Sequence, residues 1–142
     1  MLNNGRNLRI YTISGGVGLT SSVIYILCNI LFLGVFILAA AVQWNDPDPL
    51  PWMVIYLSAA SMCFLSLVHR QVLWLPSILL LFSLGWAFYL LSSIVGHVSL
   101  YEITESLSMK TRAVEEAREI GGLLLVALWA TIVWIIERRI QP

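Results

Sequence analysis

Read for polarity alone, the chain is a series of four apolar runs separated by polar punctuation. The first, residues 23–42 ("VIYILCNILFLGVFILAAAV"), has 20 residues and no charge. At about 1.5 Å of helical rise per residue it crosses a hydrocarbon core of roughly 30 Å. Residues 50–68 ("LPWMVIYLSAASMCFLSLV") follow. After "HRQ" comes a third run, 72–95 ("VLWLPSILLLFSLGWAFYLLSSIV"), also long enough to span. Pro76 falls near the first turn of that helix, where a missing N–H costs little, so no strong kink is expected. The fourth run, 121–136 ("GGLLLVALWATIVWII"), is short at 16 residues. It is expected to borrow Ile120 and the aliphatic stem of Glu137 to reach both interfaces.

This pattern predicts an all-α fold, a polytopic bundle of four transmembrane helices forming a single membrane domain over residues 1–142. The spans are placed at about 23–42, 50–68, 72–95 and 120–137. A signal peptide is the rival reading of the first run, since Arg6 and Arg9 precede it and Ala39, Ala40 and Ala41 resemble a cleavage site. The run is longer than an ordinary signal core of about 7–15 residues, which favours a span.

Between spans three and four lies the one sizeable polar stretch, an amphipathic segment over 96–119. Leu107, Val114, Ala117, Ile120 and Gly121 recur in it at helical spacing. Arg112 with Glu116 and Glu115 with Arg118 are favourable helical pairs, whereas Glu115 with Glu119 repels. A helix is predicted from about Ser108 straight into span four, with a capping box at Ser99 and Glu102 opening a shorter one before it.

Composition agrees: 59% of the 142 residues are hydrophobic and 11% charged, against roughly 25% charged in soluble domains. Formal net charge is zero, which gives no reason to expect nucleic acid as a partner. The placement of charge is more informative than its sum. Arg6, Arg9, Arg70, Arg138 and Arg139 fall on one side of the bundle and Lys110, Arg112 and Arg118 on the other, which favours both termini in the cytoplasm. A bacterial inner membrane or an equivalent bilayer is the expected location. Trp44, Trp52, Trp74 and Trp134 sit at span ends and are expected to anchor at the headgroup level. Trp86 and Trp129 fall mid-span, where packing is the expected role.

The chemistry of the chain is sparse. Cys28 and Cys63 lie inside apolar runs outside any C-x-x-C pattern and read as small hydrophobes. His69 and His97 are expected at opposite membrane faces, so they share no metal and cannot ligate a haem together. No Asp, Glu, Lys or Arg lies within the four apolar runs, although such residues usually mark ion and proton pathways. The intramembrane serines Ser58, Ser61, Ser66, Ser83, Ser92 and Ser93 have no evident base beside them. With Gly34, Gly85, Gly121 and Gly122 they read as small-residue contacts between helices. No catalytic residue, metal site or cofactor is therefore assigned.

One motif stands apart: "VQWNDPDPLPW", residues 42–52. Part of it has a structural reason. Asn45 and Asp46 favour turns, and Pro47 pushes Asp46 out of helical backbone. Asp48 then Pro49 reads as N-cap and first helical residue, the carboxylate accepting orphan N–H groups. The functional alternative is a polar site on the non-cytoplasmic surface. There Asn45, Asp46 and Asp48 would meet Arg112, Glu115, Arg118 and Glu119. Arginine pairing suits it better than a calcium-like site, which needs six to eight oxygens.

"QWNDPDPLPWMVIY" between the first two spans, with "EEAREIGGLLL" entering the last, resembles the transmembrane protein 220 family of small four-helix membrane proteins, over about residues 25–137. The resemblance implies four spans. It marks Gln43, Asn45, Asp46, Pro47, Asp48, Pro49, Trp52, Glu115, Arg118 and Glu119 as family-like positions and assigns them no role. Two functions are carried forward. One is a non-enzymatic accessory or structural subunit of a larger membrane-protein complex, with the lipid bilayer and membrane proteins as partners. The other is a small-molecule or lipid-headgroup binding protein, enzymatic or not, using the site at the motif.

Overall fold

The computed structural model describes residues 19–70, 72–94 and 112–140, with side chains described over 22–70, 72–92 and 116–139. Four α-helices are present among them: α1 Leu19–Val42, α2 Pro49–Leu67, α3 Trp74–Ile94 and α4 Arg112–Ile140. Each contains a stretch long and apolar enough to cross a membrane. The protein is thus an integral, multi-pass membrane protein. Charged segment and fourth span are continuous, because α4 runs unbroken from Arg112 to Ile140. The capping box at Ser99 and Glu102, His97 and the helix start at Ser108 lie outside the described residues.

Burial in this bundle cannot be driven as it is in water, since lipid is as apolar as leucine. What joins the helices is close packing, ring stacking and the pairing of polar groups. The chain forms two antiparallel hairpins, α1 against α2 and α3 against α4, with α2 also touching α3 and α4. Of the span windows, 39% of α2 is buried and only 17% of α1. Accordingly α2 is the central helix and α1 faces mostly outward.

Aromatic rings join the hairpins. Trp129 of α4 stacks on Phe32 of α1 with centroids 4.1 Å apart, and Trp52 of α2 stacks on Trp86 of α3 at 4.7 Å. Such pairs contribute about 0.5–1.5 kcal/mol each beyond area effects. Trp52 was expected at the headgroup level and is instead 5% exposed. It lies one turn inside α2, on the face turned toward α3. Trp44 and Trp74 are 74% and 64% exposed at the bundle ends, while Trp134 is half-buried and carries the Arg138 guanidinium 4.9 Å from its ring centroid.

The turn from α2 into α3 has unusual chemistry. Arg70 N–H bonds to Leu65 C=O at 2.9 Å and His69 N–H to Ser66 C=O at 3.2 Å, the paired bonds of a Schellman cap. The position that requires a left-handed backbone, where glycine is usual, holds His69 at φ 56°.

Candidate functional site

The motif is built first by its backbone. After α1 the chain tightens into a 3₁₀ turn, Gln43–Asn45, closed by the Asp46 N–H bonding to Gln43 C=O at 3.0 Å. Asp46 is extended, with ψ 155°, as the clash with the following proline requires. Asp48 occupies the N-cap position of α2, but its side chain makes no capping hydrogen bond. This corrects the expectation of a carboxylate satisfying the helix end. The reason is in the sequence. A cap receives N–H groups from the second or third helical residue, and the prolines at 49 and 51 leave only Leu50 to donate. Asp48 and Asn45 are therefore exposed polar groups, flanked by the exposed Trp44.

Two turns into α2 the polar groups converge. The Tyr56 side chain is 5% exposed, and Gln43, Asp46, Arg118 and Glu119 are the polar and charged groups around it. Its seat is Gly122 of α4: a Cβ at that position would overlap the Tyr56 hydroxyl oxygen. The helices can bring the hydroxyl there only because position 122 lacks a side chain. Gly34, Gly85 and Gly121 have open space where a Cβ would stand, so they are not the helix contacts expected of them.

Of the expected site residues, Asp46, Arg118 and Glu119 are thus brought together, with Tyr56 among them. No ion pair joins Asp46 to Arg118 among the described residues, although both lie around Tyr56. Asn45 and Asp48 lie on the adjoining surface. The side chains of Arg112 and Glu115 lie outside the described residues. Tyr56 and Gln43 were not singled out as a pair by the sequence, although "GG" inside an apolar helix is a legible signal for close approach.

A second polar cluster occupies the opposite end. Glu137, expected to extend outward along its stem, is 5% exposed. It turns inward and accepts a hydrogen bond from Ser66 Oγ at 2.8 Å, with the Val72 backbone close by. Ser66 Oγ lies 2.7 Å from the Tyr25 hydroxyl. With the single Ser66 proton given to the carboxylate, Tyr25 is the donor in that bond. Ser66 is thus a link in a chain through α1, α2 and α4 rather than a small-residue contact. One turn along α1, Asn29 donates to the Tyr25 carbonyl at 3.0 Å. Its own carbonyl oxygen, like Trp129 Nε1 and Ser83 Oγ, is buried without a hydrogen-bond partner among the described residues.

Comparison with known proteins bears on both ends. A family model described as "Transmembrane family 220, helix" matches residues 35–135, which includes the motif, Tyr56, Glu119 and Gly122. A protein named Transmembrane protein 220 from Xenopus laevis is 36% identical over 107 residues, 72% of this chain and 54% of its own length. The chain therefore spans about half the length of that relative. No solved structure matches.

Proposed function

This chain belongs to the transmembrane 220 family, and on that footing we propose that it is a non-enzymatic accessory or structural subunit that docks on a larger membrane-protein complex through the turn between α1 and α2. The reading is supported above all by Asp48. It is a carboxylate at the helix start that caps nothing, beside a tryptophan with 74% of its surface exposed. A charge with no duty in its own fold, next to an aromatic ring, has the composition of an interface anchor. The turn faces away from the cytoplasm, and the termini lie in the cytoplasm of a bacterial inner membrane or an equivalent bilayer, as the arginine distribution favours.

The test is purification in mild detergent after membrane crosslinking. The chain is expected in defined stoichiometry with a larger membrane protein, and Trp44→Ala and Asp48→Asn are expected to release it without lowering its melting temperature. Recovery only as a monomer or homo-oligomer overturns the reading.

A second reading is favoured by the convergence on Tyr56. Asn45, Asp46, Asp48, Arg112, Glu115, Arg118 and Glu119 would bind a small polar molecule or lipid headgroup at the non-cytoplasmic surface. It requires Asp46→Asn to abolish ligand retention while thermal stability stays unchanged. Equal loss of both assigns the motif to folding alone.

A further inference from the structure

The end of the bundle opposite the motif concentrates positive charge. There α1 begins, α2 ends, α3 begins and α4 ends. The sequence attached to those helix ends, residues 1–22, 68–73 and 137–142, holds five arginines and one carboxylate side chain, Glu137. The other seven carboxylates lie between α1 and α2 or in residues 102–119, which lead to the opposite helix ends. Glu137 is 5% exposed and directed inward to Ser66, so it does not project among the arginines. Helix dipoles do not neutralise them either. Two helices end here and two begin, and terminal partial charges of about half a unit each cancel.

Three of the arginines come to one corner of the surface. Arg70 and Glu137 line the same narrow crevice, and Arg138 and Arg139 follow Glu137 directly in the last turn of α4. All three side chains are exposed. Even with Glu137 ionised, they leave the corner two charges positive. Arg138 is held over the Trp134 ring, an attraction that fixes a guanidinium without giving it an anion. Trp134 and the exposed Trp74, four residues after Arg70, place the corner at the headgroup layer. Apolar surface adjoins it: the exposed Ile135 lies one turn from Arg139 on the same face of α4, and the exposed Val68 precedes Arg70 by two residues. We propose that this corner binds an anionic phospholipid, its phosphate held by Arg70, Arg138 and Arg139 and its acyl chains laid along the adjoining apolar surface. The forked N–H donors of a guanidinium match phosphate oxygens. A zwitterionic lipid offers the same phosphate but brings an ammonium into a positive field. Orienting the protein during insertion needs only the number of arginines, whereas this site needs these three where the fold puts them.

Native mass spectrometry of the full chain in mild detergent, offered equal amounts of phosphatidylglycerol and phosphatidylcholine with the same acyl chains, tests this. Phosphatidylglycerol is expected to be retained about tenfold over phosphatidylcholine, equivalent to about 1.4 kcal/mol, with the preference falling as ionic strength rises. Arg70→Gln and Arg139→Gln are each expected to reduce the preference about threefold, and the double variant to abolish it. Both side chains are exposed, so the melting temperature should not move. Arg70→Lys, which keeps the charge and loses the fork, is expected to fall between Arg70 and Arg70→Gln. Equal retention of the two lipids by the unaltered chain overturns the proposal, and that arm requires no variant to fold. A preference undiminished in the double variant overturns it as well, by placing the lipid elsewhere. Displacement of phosphatidylglycerol by millimolar inorganic phosphate overturns the lipid as the ligand.

Discussion

Asp48 and Gly122 are the two positions at which one side chain, or its absence, decides most. Because Asp48 makes no capping bond, Asp48→Ala is expected to cost less than about 0.5 kcal/mol, below the range usual for a lost cap. Thermal unfolding in detergent measures this. Gly122→Ala places a methyl group on the Tyr56 hydroxyl and is expected to cost about 1–3 kcal/mol, the range for overpacking. Tyr56→Phe removes the overlapping oxygen, so the double variant should recover part of the loss. A double-mutant cycle reads the coupling directly, and strict additivity would show that the two residues do not meet. The turn at Asp46 was legible, since proline restricts the residue before it whatever the surroundings. The empty cap was legible in principle as well: "DPLP" removes two donors along with the strain it relieves. Tyr56 was not, because an apolar run gives no sign of which tyrosine turns toward a charged neighbour.

At the scale of the elements, the end of α2 carries the next expectations. His69 adopts a backbone that β-branched residues avoid, so His69→Val should destabilise the α2 end by about 1–2 kcal/mol. Hydrogen exchange at the Leu65 to Arg70 amides is the appropriate probe. Ser66→Ala deprives the buried Glu137 of a donor and is expected to cost about 1–3 kcal/mol. Ser66→Thr, which keeps the hydroxyl, should cost less, and equal losses would show that the bond to Glu137 contributes nothing. The four helices themselves were legible from hydrophobic run length, because a bilayer admits few other solutions for such runs. Run length does not report which way an end residue points, and that is where the reading of Glu137 failed. Its span is short, so an outward-reaching stem was the economical expectation. The hydroxyls of Ser66 and Tyr25 sit 71 and 112 positions earlier in sequence, and only the folded bundle brings them to the carboxylate.

The whole molecule is a pair of hairpins, α1 with α2 and α3 with α4, meeting across α2 and across the rings of Phe32, Trp129, Trp52 and Trp86. The number of spans was readable from the pattern, but their pairing was not, since apolar sequence alone does not tell a partner helix from lipid. Membrane helices can insert first and associate later, and here the antiparallel partners are consecutive in sequence. The covalent turn between α2 and α3 is therefore expected to be dispensable for assembly: a gene cut within codons 70–73 and expressed as two halves should complement itself. Co-purification of an untagged second half with a tagged first half would show it, and Trp129→Ala, which removes the ring on Phe32, should weaken the reunion. The bundle would then be, in effect, a heterodimer whose two subunits happen to be encoded in a single reading frame.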